Sequence, residues 1–396
     1  MKLHIGLFLL ILMMVLPKLT VIPAGFSGVR LDDFISLIAF AWIISRGRLR
    51  LSSTDSYVKI YLFFIGTQFV SAIYNYESNS YIGLLFPIRL LELLVWYYIG
   101  INVIKSRTKE EINRVLLFLG LYFSIYSFAE ILGFAPKFGL FTVTNRVATT
   151  MTGPFEYAVV IAVLGFFIKH SIPKAMTLVS LLLTQSRVTL FSTLFIYLFI
   201  WKKKWSSLIT FIIGALLLII VSPKLDVLER FDGFNEFGVG NIAELTSQYY
   251  SMVSPADSSK DYFESTHEES SAYKLFNQTD TSLEMRLMRW MVILKTTNKT
   301  IYSLLIGQGP GFYGIAVDGY YVRVFAETGL IGLSVFVLFL VSLYRTHKKS
   351  KEIVAMIVTM ALSGLLIDIF VSVKVMALFW FLLGVHSQKY HKNNSN

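Results

Sequence analysis

The chain has 396 residues, of which 55% are hydrophobic and only 15% charged, and it contains no cysteine. A soluble globular domain carries about 25% charged residues, so this composition excludes an ordinary water-soluble domain, and the missing cysteines exclude a disulfide framework or a thiolate metal site. The net charge of +11 does not indicate a nucleic-acid partner, because most basic residues sit in short segments between apolar runs, where they act as orientation signals.

Apolar runs fall near residues 4–22, 32–45, 57–75, 81–104, 112–132, 154–168, 172–186, 188–201, 206–221, 323–343, 352–371 and 373–386. A helix rising 1.5 Å per residue crosses a hydrocarbon layer of about 30 Å in about 20 residues, and it satisfies its own backbone polar groups there. The pattern therefore predicts an all-α integral membrane protein of about twelve spans; the runs do not alternate as barrel strands would. The run after Lys2 has no small-residue cleavage site before Pro17 and Lys18, so it reads as the first span. With a cytoplasmic N-terminus, Arg46, Arg48, Arg50, Lys105, Arg107, Lys202, Lys203 and Lys204 fall inside, and the C-terminus is cytoplasmic too.

Residues 172–201 are too long for one span and short for two. One span there would put WKKKW outside, so the charge pattern predicts two short helices turning at QSR, with Arg187 near the outer surface. Three regions result: an N-terminal bundle of about nine spans over 1–221, a large non-cytoplasmic loop over 222–322, and about three spans with a cytoplasmic tail over 323–396. The loop opens with the acidic, Ser-rich SPADSSKDYFESTHEESS, a solvated composition. From Ser282, Leu283, Leu287, Trp290 and Leu294 recur at helical spacing with Arg286 and Arg289 between them, which predicts an amphipathic helix over 282–299. A Gly-rich turn, GQGPGFYG, and then DGYYVRVFAETGLIG lead into the next span.

Charges in or beside apolar runs are expensive and mark function or a partner. Arg89 and Glu92 share a helix face and pair most simply with each other; Asp368 with Lys374, and the boundary residues Asp32 and Asp33, fit a similar structural role. Arg30, Arg146, Arg187, Arg286, Arg289 and Arg323 all map to the outer side, where orientation charge does not explain them. Converging guanidinium groups suit a pyrophosphate-bearing substrate; headgroup anchoring is the plainer account of any one. GQGPGFYG lacks a P-loop lysine, and the chain has no HExxH and no GxSxG. Neither a metal nor a cofactor is expected.

In order and type, these features resemble the bacterial O-antigen and capsular polysaccharide polymerases, the Wzy-type proteins, and the related O-antigen ligases. The likeness rests on Arg146 before TGPFEYA, Ser186 with Arg187 between two short spans, the long loop after Ser222, Arg286 with Trp290, GQGPG at 307–311, and Asp318 ahead of ETGLIG. Where many members carry a His-Asn pair, this chain has VDGYY, which favours polymerase over ligase. The resemblance implies a GT-C-like membrane glycosyltransferase of the bacterial cytoplasmic membrane, with its large loop periplasmic or extracellular. It would move glycan from undecaprenyl pyrophosphate onto a carrier-linked repeat unit, beside membrane lipids, a flippase and a chain-length regulator. Asp318, Arg187 and Arg289 would be catalytic, and Arg323, Arg286 and Arg146 would bind substrate. Glu327 could serve as base but pairs more simply with Arg323, four residues earlier. A ligase, or a flippase or other transporter, is the competing expectation.

Overall fold

The computed structural model describes residues 4–22, 29–45, 55–76, 82–138, 146–200, 281–313 and 317–394. The expected span at 206–221, the WKKKW segment and the acidic part of the large loop lie outside these residues.

In chain order the described elements are α1 (Ile5–Val15), a two-stranded antiparallel ribbon of β1 (Thr20–Ile22) and β2 (Val29–Arg30), α2 (Leu31–Ser45), α3 (Ser56–Tyr74), α4 (Ile82–Ser106), α5 (Lys109–Ile131), α6 (Pro154–Phe167), α7 (Ser171–Leu183), α8 (Arg187–Phe199), α9 (Thr281–Thr297), α10 (Ile301–Ile306), α11 (Tyr320–His347), α12 (Lys351–Ser363) and α13 (Val373–Asn394). Among the described residues, four helices are long and apolar enough to cross a membrane: α3, Gly83–Lys105 within α4, α5 and α11. Five more apolar helices are shorter. Large apolar side chains are exposed on α2, α3 and α5, among them Leu37, Phe63, Ile73 and Ile125; patches of this kind are unfavourable in water and neutral in hydrocarbon.

Local chemistry sets the helix ends. Thr108 caps α5 by accepting from the Glu111 amide, and Gly153 with Pro154 opens α6. The run expected over 4–22 stops being helical at Val15, just ahead of Leu16 and Pro17, because a residue preceding proline is pushed out of the α region. The chain then enters the β1–β2 ribbon, too short to register as a strand pattern. The run expected over 352–371 also divides: α12 ends at Ser363, and a 3₁₀ turn occupies Ile369–Val371. The Gly364 carbonyl accepts from the Tyr320 amide at 2.8 Å instead of continuing a helix.

An aromatic core fixes the start of α11. Tyr320 meets Phe336 at 4.9 Å and Phe370 at 5.0 Å between ring centres, and Tyr61 on α3 meets Trp380 on α13 at 4.7 Å and Phe339 at 5.0 Å. Such ring pairs stabilise by about 0.5–1.5 kcal/mol beyond their buried area.

Candidate functional site

α9 places Arg286, Arg289 and Trp290 within little more than one turn. The Trp290 indole N–H donates to the Val317 carbonyl at 3.3 Å, and its ring lies over Gly319, where a Cβ would come within 2.9 Å of it. Between them Asp318 holds φ +58, in the left-handed region that Asp tolerates better than most residues. Asp368 clamps the same turn from the other side: its carboxylate accepts from the amides of Val317 at 2.9 Å and Gly319 at 3.3 Å. The Asp318 carboxylate thus projects toward Arg289 at 3.1 Å and Arg286 at 4.0 Å. It is 37% exposed. Burial pushes its pKa above the ordinary carboxylate value, with Asp368 adding to this and the two guanidinium groups opposing it.

Arg323 occupies different surroundings. It is 1% exposed, donates from Nε to Glu327 at 3.0 Å and from Nη1 to Asp368 at 3.1 Å, and stacks over Phe86 at 5.3 Å. Glu327 also accepts from the Gly311 amide at 3.2 Å. The expected Arg323–Glu327 pair is present. Asp368 completes the network, replacing the expected Asp368–Lys374 pair. The reason is the position of Lys374 at the start of α13, facing the C-terminal end of α1, whose last carbonyls have no helical partner. The Lys374 ammonium donates there to Met14 at 3.1 Å and to Leu16, and to the Thr150 carbonyl at 2.9 Å. The Arg89–Glu92 pair is likewise replaced: Arg89 reaches Asp33 on α2 at 2.7 Å.

The Gly-rich turn closes a break in α11. Gly329 has φ +63 and ψ −162, which interrupts the helix and leaves the carbonyls of Ala326 and Glu327 without their usual amide donors. The amides of Gln308 and Gly309 fill those places at 2.8 and 3.1 Å, and the Ser71 hydroxyl adds a 2.6 Å bond to the Glu327 carbonyl. A Cβ on Gly329 would fall 2.3 Å from the Leu305 carbonyl carbon. Packing, rather than phosphate binding, accounts for this glycine cluster.

Arg146 and Arg187 form a separate group. α7 and α8 make the hairpin expected over 172–201, with the turn at Thr184, Gln185 and Ser186. Arg187 is the first residue of α8 and is partly buried. A cation there faces the positive end of the helix dipole, an unfavourable placement for stability. Arg146 donates to the Thr184 carbonyl at 3.0 Å and lies over Phe155 at 4.5 Å, so it braces this turn. Glu130, fully buried, accepts from the amides of Ala148 at 3.3 Å and Thr149 at 2.8 Å and pins the segment carrying Arg146. The charged neighbours of Asp318 are Arg286, Arg289 and Asp368; Arg187, expected to be catalytic together with Asp318 and Arg289, is not among them.

Glu130, Asp368 and Lys374 are charges at apolar runs in the sequence, but their partners are mostly backbone groups far along the chain, which helical spacing does not reveal. The fold and site define a helical, membrane-type protein with a half-exposed Arg–Asp cluster above a buried ionic network. No protein-family model matches the chain, and no curated protein matches it. Among the described residues no three or more His, Cys, Asp or Glu side chains are grouped to hold a metal.

Proposed function

We propose that the protein is a polysaccharide polymerase, a metal-independent membrane glycosyltransferase with about twelve spans acting at the outer face of a bacterial cytoplasmic membrane. The observation that carries this reading is the Asp318 carboxylate, held on a strained turn between Arg286 and Arg289 and still accessible. In the proposed step the acceptor hydroxyl of one carrier-linked repeat attacks the anomeric carbon of another glycan. Its proton passes to Asp318, and the bond from the anomeric carbon to the undecaprenyl-pyrophosphate oxygen breaks. Negative charge grows on the departing pyrophosphate, where preplaced guanidinium groups stabilise it more than they stabilise the ground state. Arg289, Arg286 and Arg187 take that role, with Arg146 positioning the Arg187 turn. Arg323, whose charge is already met by two carboxylates, becomes a positioning residue that holds Asp368 and through it the Asp318 turn.

One observation favours a second reading, a lipid-linked oligosaccharide transporter: α11 is interrupted at Gly329, as helices of transporters often are. The part of α11 beyond the break, 330–347, rises about 27 Å at 1.5 Å per residue, enough for one crossing. The break then falls at a membrane edge rather than at the midplane, which suits a surface site better. A ligase would share the chemistry but use a different acceptor.

Surface glycan from a deletion strain carrying Arg187→Ala or Arg289→Ala separates these readings on a gel. A polymerase defect leaves single repeat units at the outer surface and no ladder. Repeat units held on the cytoplasmic side would instead establish transport, and normal-length polymer left on the lipid carrier would establish ligation.

A further inference from the structure

The apolar face of α9 is used inside the protein, where Leu287, Met291, Val292 and Ile293 are buried. α10 differs. After the exposed residues Asn298, Lys299 and Thr300, it turns Ile301, Tyr302 and Leu305 outward, 61%, 60% and 38% exposed. These positions share one side of a helix, at i, i+1 and i+4. A helix of 6 residues rises only about 9 Å and is not stable alone, so its surroundings must hold it. On the inner side the protein does so. A Cβ on Gly329 would meet the Leu305 carbonyl carbon at 2.3 Å and the Ile306 nitrogen at 2.6 Å, so α10 lies directly against the break in α11. Asn75, which caps the C-terminal end of α3, donates from Nδ2 to the Gly307 carbonyl at 3.3 Å.

The outward side of α10 continues a face that is already apolar. Phe63, Val70, Ile73 and Tyr74 are exposed and form one stripe along α3, a helix long and apolar enough to cross a membrane. At the end of that stripe the Tyr74 ring stacks on Tyr302, with 6.3 Å between centres and 27° between planes. The stripe and the outward side of α10 are thus one surface. Residues 300–317 contain no charged side chain. The backbone is suited to lipid as well, because irregular backbone at membrane depth is tolerated only where protein satisfies it. Thr300 and Ser303 cap α10 reciprocally, the Ser303 hydroxyl donates to the Thr297 carbonyl at 2.8 Å, and the amides of Gln308 and Gly309 bond to α11 as described above. Tyrosine beside an exposed lysine, Lys299, is the composition of a headgroup boundary.

We infer that Ile301, Tyr302 and Leu305 insert among phospholipid acyl chains at the headgroup boundary, in the leaflet reached by the C-terminal end of α3, and that α10 is a re-entrant lipid anchor. Because α10 follows α9 after residues 298–300, this contact also holds α9 at the bilayer surface. The inference requires a membrane-embedded chain and is independent of the glycosyl-transfer reading. The chain has no cysteine, so single cysteines can be introduced and spin-labelled without background in the full-length protein, in nanodiscs of phosphatidylcholine and phosphatidylglycerol. Power saturation then compares collisions with oxygen, which concentrates in lipid, and with a water-soluble nickel complex. Labels at Tyr302→Cys and Leu305→Cys should favour oxygen, as should Val70→Cys on the α3 stripe. Asn298→Cys should favour nickel, so that the preference reverses between Asn298 and Leu305. Nickel favoured at either α10 position, with oxygen still favoured at Val70→Cys, overturns the anchor alone; nickel favoured at Val70→Cys overturns the membrane placement and the anchor with it. Shielding of the α10 labels from both reagents means that protein covers the face, and dipolar broadening in singly labelled protein means that a second copy does; each overturns the inference. Ile301→Cys replaces either α10 variant that is not monodisperse.

Discussion

Two arginine–carboxylate groups sit on either side of the 317–319 turn, and their surroundings give them opposite roles. Arg323 is 1% exposed and bridges Glu327 and Asp368, whereas Arg289 is 33% exposed and meets Asp318 at 3.1 Å. In the first group every charge is matched by another or by backbone amides, so a ligand could engage Arg323 only by displacing a buried carboxylate. In the second, the pair is about one-third exposed, and such a pair stabilises a fold by only about 0.2–1 kcal/mol. The same side-chain types therefore hold structure when buried and remain available for chemistry when half-exposed. Asp368 connects the groups, because it binds Arg323 and both amides flanking Asp318.

The comparison breaks most sharply at Asp318. Asn accepts the left-handed backbone there as Asp does, so Asp318→Asn should keep the fold while lowering repeat-unit transfer by about 10²–10⁴-fold, the usual contribution of a general base. Transfer measured with purified protein and lipid-linked repeats checks this; unchanged transfer would move the base elsewhere. Arg323→Ala should do the reverse. It leaves Glu327 and Asp368 buried without their cation and should cost about 3–5 kcal/mol of stability, read from unfolding in mixed micelles. An Arg323→Ala protein that melts like the parent but transfers no glycan would return Arg323 to substrate binding.

The smallest expected effect sharpens the electrostatics. Burial raises the Asp318 pKa, and Arg286 and Arg289 hold it down in part. A base works when deprotonated, so the acid limb of the pH–rate profile should follow this carboxyl. Removing Arg289 takes away one cation that favours the carboxylate. In Arg289→Ala the residual activity should therefore be lost at a higher pH as the medium is acidified. An acid limb that stays in place would separate Asp318 from the rate.

Much of the architecture is legible in periodicity. The hairpin of α7 and α8, the amphipathic α9 and the contact of Arg323 with Glu327 all follow from helical spacing and short-range charge. The i, i+3 spacing that suggested Arg89 with Glu92 misleads, and the i, i+4 spacing that pairs Arg323 with Glu327 is incomplete, for one reason: helical spacing sees one helix only. Asp33 lies 56 residues from Arg89, and Asp368 lies 45 residues from Arg323. Nor does spacing announce that Gly307 and Gly309 exist to fit a helix broken at Gly329.

By itself, the sequence determined where the chain is helical, which helices are apolar enough for a membrane, and which charges are costly enough to require an explanation. These depend on nearest-neighbour sterics, composition and the period of the helix, all local in the chain. Only the tertiary structure decided which charge answers which, and which arginine stays accessible. Those outcomes depend on burial and on oxygen–nitrogen distances between helices, and a buried ion pair is settled by desolvation across the whole bundle rather than by any neighbour in sequence.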